Sequence, residues 1–209
     1  MSPNTDRNDR IRVDLELIAQ MIPDGARVLD VGCGDGALLS HLADDKHADA
    51  RGIEISQAGV NACVRKGLSV VQGDADTDLV DYPTDGFDIV VLSQTLQATH
   101  RPATVLAEML RIGKHAIVSF PNFGHWLVRW KLLTSGRMPE TGKLVHSWHS
   151  TPNIHLCTLR DFELLAASLG FHIDEAIGVM SNGTAQAIKP GSVLANLRAE
   201  QAIYKLTKI

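Results

Sequence analysis

Glycines and acids placed at the ends of apolar runs carry the clearest chemistry in this chain. The run Val28-Leu29-Asp30-Val31-Gly32-Cys33-Gly34-Asp35-Gly36 sets glycines directly after a short apolar stretch and before residues with helical spacing. Glycine there permits a tight turn and lets a ligand approach the backbone closely. Gly32, Gly34 and Ala37 also satisfy G-x-G-x-x-A, the pattern of dinucleotide-binding turns. Twenty residues past Gly34 stands Glu54, at the end of a second apolar run. A carboxylate at that place can accept hydrogen bonds from two adjacent ribose hydroxyls. The residues therefore suit a ribose-bearing cofactor; a tight turn without a ligand is the alternative.

These residues need a frame, and the spacing predicts one. Ile11, Leu15, Ile18 and Ile22 recur on one helical face, and Pro23-Asp24-Gly25 ends that helix. Short apolar runs at Arg27–Val31, Ala50–Ile55, Leu68–Gln72, Phe87–Leu92 and His115–Phe120 read as strands. Helical stretches at 35–42, 56–66 and 103–111 separate most of them. Strands alternating with helices predict a parallel sheet covered on both faces. After Pro121 the rhythm breaks until Thr158-Leu159-Arg160-Asp161 opens a helix with a capping-box variant. Phe171–Val179 and Gln201–Leu206 are late strands whose pairing must be a hairpin. The expected fold is α/β and Rossmann-like: a mostly parallel seven-stranded sheet, helices on both faces, the last strand antiparallel.

Composition narrows the function classes. The chain has 209 residues, 44% hydrophobic and 21% charged, which suits one domain spanning 1–209. A net charge of −4 gives no electrostatic reason to coat nucleic acid or an anionic membrane, so neither is expected as a partner. Cys33, Cys63 and Cys157 are odd in number and form no metal pair, which points to reduced thiols and a cytoplasmic setting. Met1–Arg10 is polar and charged, so no signal peptide is expected there.

The loop resembles the first motif of class I S-adenosylmethionine-dependent methyltransferases, commonly D-x-G-x-G-x-G, which Asp30, Gly32, Gly34 and Gly36 fill around Cys33. An acid two residues before the first glycine suits a cofactor that carries an ammonium group and no phosphates. The resemblance implies S-adenosylmethionine or S-adenosylhomocysteine as cofactor and further binding positions. Glu54 would hold the ribose, Ile55 would flank the adenine, Asp74 would read its amino group, and Ala75 would offer a backbone N–H. Ser93 and Gln94 would lie beside the methionine part. The other aspartates nearby, Asp76, Asp78, Asp81, Asp85 and Asp88, read as caps, turns and solvated loop charge.

Residues 122–157 hold all three tryptophans, Trp126, Trp130 and Trp148, and the cations Arg129, Lys131, Arg137 and Lys143 against the single acid Glu140. If 124–134 is helical, Trp126, Trp130 and Leu133 share one face. That face either packs on the sheet or serves a lid or a docking surface. His125, Trp126, Trp130, Trp148 and His155 are the candidates for contact with a partner or acceptor. The spacing of His146, His149 and His155 matches no metal frame, and no metal is expected.

Phe120-Pro121-Asn122-Phe123-Gly124-His125-Trp126, Gly136-Arg137-Met138-Pro139, Thr151-Pro152-Asn153-Ile154-His155-Leu156-Cys157-Thr158 and Asp161-Phe162-Glu163 resemble the MetW family of methionine biosynthesis proteins. The chain departs from that family at Leu144-Val145-His146 and Trp148-His149, where Leu-Pro-Tyr and Trp-Tyr are usual. The resemblance implies a role beside homoserine O-acyltransferase (MetX), as an activating partner. The alternative is a stand-alone methyltransferase acting on a small molecule, for which Asp35, His100, His125 and His155 are candidate bases. Ser93-Gln94-Thr95-Leu96 stands where amine methyltransferases carry Asp/Asn-Pro-Pro-Tyr, which disfavours a nucleic-acid base as acceptor. A nicotinamide oxidoreductase is disfavoured too, because no room remains for a substrate domain.

Overall fold

The apolar runs Arg27–Val31 (β1) and Phe87–Ser93 (β4) lie side by side and parallel, Val28 opposite Ile89 and Asp30 opposite Val91. Val28, Leu29 and Val31 are buried although their side chains alternate between the two faces, which explains the unbroken apolar pattern. The computed structural model describes residues 11–208; Met1–Arg10, on which the signal-peptide expectation rests, lies outside the described residues.

Six further strands complete one sheet: Asp49–Glu54 (β2), Ser69–Gln72 (β3), Gly113–Pro121 (β5), Phe171–Met180 (β6), Ala185–Ala187 (β7) and Ala199–Lys208 (β8). Their order is β3-β2-β1-β4-β5-β8-β6-β7. Strands β1 to β5 are parallel, and β8 runs antiparallel to both β5 and β6, as the hairpin argument requires. Seven strands are expected from the sequence and eight are present among the described residues. The extra one, β7, has three exposed residues, Ala185-Gln186-Ala187, and pairs only with β6. Too short and too solvent-exposed to need an apolar pattern, it reads as connection until its backbone partner is seen.

Helices Val13–Gln20 (α1), Ala37–Lys46 (α2), Gln57–Arg65 (α3), Pro102–Ile112 (α4), Trp126–Ser135 (α5), Leu159–Ser168 (α6) and Val193–Arg198 (α7) complete the fold. Consecutive β1 residues enter different cores. Val28 belongs to the core that holds Leu15, Ile18, Leu42 and Ile89, and Leu29 to the one that holds Leu106, Phe120, Phe162 and Tyr204. The α6 start is a complete capping box, Asp161 N–H donating to Thr158 Oγ1 and Asp161 Oδ2 accepting from Thr158 N–H.

One consequence of the strand order positions the site. From β1 the chain proceeds to β2 on one side, and β4 lies on the other. The connections therefore diverge at the carboxyl ends of β1 and β4, leaving a crevice there for a ligand.

Candidate cofactor site

The glycine loop turns out of β1 into that crevice with Gly32, Gly34 and Gly36 all at positive φ, at 73°, 58° and 77°. A Cβ on Gly32 would stand 2.7 Å from Thr95 Oγ1, and one on Gly36 2.9 Å from Cys63 Sγ. A Cβ on Gly34 would meet nothing within 4 Å, so its open side faces free space. The first and third glycines thus allow close packing, and the second leaves backbone open to a ligand. Gly32 N–H and Cys33 N–H donate to Ile53 O, tying the loop to β2.

Glu54 is 8% exposed and both of its carboxylate oxygens are engaged. Oε2 accepts from Gly34 N–H at 2.8 Å and Oε1 from Ser56 N–H at 2.8 Å. The side chain therefore fixes the loop to the start of α3, while each oxygen retains a lone pair for a further donor. Ile55 beside it is 63% exposed, available to flank a planar ring. Gly73 N–H donates to Glu54 O and brings Asp74 and Ala75 alongside. Asp74 is half-buried, its Oδ1 accepting from Asp76 N–H. Asp76 accepts from His100 and Arg101 N–H just ahead of α4, Asp78 accepts from Asp74 N–H, and Asp88 pairs with Arg27 and Lys114. These are turn and surface roles.

Asp30 is 3% exposed, and its Oδ1 has no hydrogen-bond partner among the described residues. Burial pushes its carboxyl up to about 7, opposed by Arg12 and assisted by the Glu54 charge. Cys33 lies against Cys63 with the sulfurs 4.0 Å apart, and burial raises both thiols. Both are free thiols, as is Cys157.

The structure adds residues that spacing does not disclose. Arg12 pairs with the buried Asp14 at 2.7 Å and donates to Ser93 Oγ at 3.0 Å. Gln94 Nε2 also donates to Asp14, and Ser93 Oγ lies 3.2 Å from Ser119 Oγ. Burial alone would raise the Asp14 carboxyl, but hydrogen bonding and charge from Arg12, with Lys143 contributing, hold it below the usual range. The one available signal was an acid, Asp14, on the otherwise apolar face of the first helix.

Asp30, the glycine loop, Glu54, Ile55, Asp74, Ala75 and Ser93 thus line up along the carboxyl ends of β1 to β4. The residues expected to meet a partner divide differently. Trp126, Trp130 and Trp148 are 53%, 58% and 74% exposed, and His155 is exposed. Of α5 only Val128 is buried, so packing of the tryptophan face on the sheet is excluded. His125 departs from the group. It is 2% exposed, its Nε2 lacks a partner among the described residues, and burial lowers its pKa against the pull of Glu200. No helix among the described residues is long and apolar enough to cross a membrane.

A family model described as "Methionine biosynthesis protein MetW" matches residues 12–206. The chain belongs to the MetW family. It is 36% identical over 202 residues to the bifunctional methionine biosynthesis protein MetXA/MetW of Rhodopirellula baltica, covering 92% of this chain and 32% of that protein. Over 99 residues, 45% of this chain, it is 35% identical to a fatty-acid O-methyltransferase of Mycolicibacterium smegmatis, 35% of whose length is covered. The chain spans about a third of the length of these two curated relatives. Among solved structures, a SAM-dependent methyltransferase of Thermotoga maritima, a possible histamine N-methyltransferase, superposes with a TM-score of 0.70 at 16% identity, covering 94% of this chain and 88% of that one. A SAM-dependent methyltransferase of Aquifex aeolicus gives 0.63 at 16% identity, covering 98% and 95%. The fold is that of class I methyltransferases, and the MetW family places the chain in methionine biosynthesis.

Proposed function

We propose that this chain binds S-adenosylmethionine across the carboxyl ends of β1 to β4 and acts with a homoserine O-acyltransferase of the MetX class, activating it. The observation that carries the partnership is the joining of MetXA and MetW in one chain in the Rhodopirellula baltica relative. Covalent fusion holds two proteins at high effective concentration, which is useful when they work on each other.

The residues present fit the cofactor. Asp30 offers a buried oxygen without a partner among the described residues, which a cofactor ammonium would satisfy. Arg12 would face the cofactor carboxylate, Glu54 would accept from the ribose hydroxyls, and Ile55 and Asp74 would contact the adenine. Bound there, the cofactor supplies a sulfonium methyl group as an electrophile. Residues 122–157 form the insertion of a single domain, a lid or partner-binding element over this end of the sheet. The Lys143 charge reaches Asp14 from it, and the backbone of Ile154 and His155 donates to Gln97 O.

Co-purification with the homoserine acyltransferase, followed by its rate with and without this protein, tests the reading. A complex and a raised rate are expected. No complex and no rate change would overturn it in favour of a stand-alone methyltransferase acting on a small molecule. Calorimetry with adenosylmethionine and with NAD separates the cofactor assignments.

A further inference from the structure

Large exposed apolar side chains gather on one stretch of this chain. On α5, Trp126, Trp130 and Leu133 follow one another at helical spacing and are 53%, 58% and 81% exposed. The residues that follow α5 add Met138, Val145, Trp148, Ile154 and Leu156, all exposed. With Phe123, these five and their neighbours line an open cleft of about 140 Å³. A dry cavity of about that size, ~150 Å³, takes one aromatic ring. Single exposed apolar residues need no explanation, but a run of them within one segment that includes every tryptophan of the chain does.

We propose that the α5 face and the adjoining 136–157 cleft are the surface on which the homoserine acyltransferase docks, a partner presenting acidic groups around an apolar knob. This rests on the functional reading above and names the part of the molecule that carries it. Three features favour that occupant. The Rhodopirellula baltica relative carries a MetXA portion on the same chain, and two-thirds of its length lies beyond the part this chain matches. Arg129, Lys131, Arg137 and Lys143 lie in the same stretch of chain with one acid, Glu140, Lys143 lines the cleft itself, and none of the four is in an ion pair among the described residues. Aromatic side chains in company with arginines are the composition of a protein interface, in which Trp and Arg dominate. A concave cleft receives a protruding side chain, whereas a flat bilayer would leave it unfilled.

The cleft is also tied to the rest of the fold: Ile154, which lines it, donates its backbone N–H to Gln97 O at 2.8 Å.

The test uses the full chain and the acyltransferase, with Leu133→Asp and the double variant Trp126→Ser/Trp130→Ser. Leu164→Asp, at a 61% exposed position on α6, serves as control. The α5 variants should bind the acyltransferase tenfold to a hundredfold more weakly, while adenosylmethionine affinity and the melting temperature stay those of the unmodified protein. Leu164→Asp should bind normally. Leu133 is so exposed that Leu133→Asp has no packing to lose, so weakened binding by that variant cannot be a folding effect. Normal binding of both α5 variants would overturn the surface but leave the partnership standing. Failure of the unmodified protein to bind would overturn both. Conversion of a dimer to a monomer by Leu133→Asp would assign the face to a second copy instead. Association with anionic vesicles that Leu133→Asp abolishes would assign it to a membrane.

Discussion

Replacing Asp30 with asparagine keeps the shape of the side chain and removes its charge, so it isolates what the buried carboxylate does. In the folded protein that carboxyl is raised from 3.8 to about 7 by burial. The folded state then holds the proton more tightly than the unfolded chain does. Stability from this group is fully present below pH 3.8 and is lost as pH rises through about 7. At 1.36 kcal/mol per pH unit, the ionised carboxylate costs the ligand-free protein on the order of 4 kcal/mol at pH 8.5. Asp30→Asn should therefore unfold at higher urea than the parent at pH 8.5, with the gap shrinking at pH 5. Cofactor binding should respond in the opposite sense, because the ammonium needs the carboxylate. The parent should bind adenosylmethionine more tightly as pH rises from 6 to 8. Asp30→Asn should bind at least tenfold more weakly at pH 8 and show no such rise over that range. Urea denaturation and calorimetry at pH 5, 7 and 8.5 measure both. A stability gap that does not change with pH, or equal affinities at pH 8, would refute the assignment of Asp30.

Further outcomes follow from the same geometry. Glu54→Gln places an amide N–H against the Gly34 or Ser56 N–H that the carboxylate now accepts; calorimetry should show adenosylmethionine affinity lowered by ~1–3 kcal/mol. Gly32→Ala meets both a positive φ and Thr95 at 2.7 Å, and should destabilise by about 2–4 kcal/mol. Gly34→Ala meets only the backbone strain, about 1–2 kcal/mol, so thermal melts should rank the two in that order. The carboxyl of Asp14 is held below its usual range, so its contribution is present above pH 3.8 and is lost as pH falls further. Asp14→Ala should cost about 1–3 kcal/mol at pH 7, where Ser93 and Gln94 lose an acceptor, and this penalty should shrink in acid denaturation below pH 4.

The sequence by itself determined the local turn chemistry. Gly32, Gly34 and Gly36 sit in backbone conformations that only their spacing after an apolar run announces, and Glu54 falls at the next strand end because one βαβ unit has a nearly fixed length. The order of strands and helices was equally legible, since a buried parallel strand must be a short apolar run. Other features depended on what lies across space. Arg12 and Asp14 reach Ser93 and Gln94 some eighty residues away, and no periodicity encodes such a pairing. Glu54 anchors the loop it was expected only to accompany, because its rotamer is chosen by the N–H groups of Gly34 and Ser56. The apolar stripe of α5 shows the difference most clearly. Spacing established that Trp126, Trp130 and Leu133 share a face, and any amphipathic helix would look the same. Whether that face is covered depends on the neighbouring elements, and here only Val128 of α5 is buried while the tryptophans stay more than half exposed.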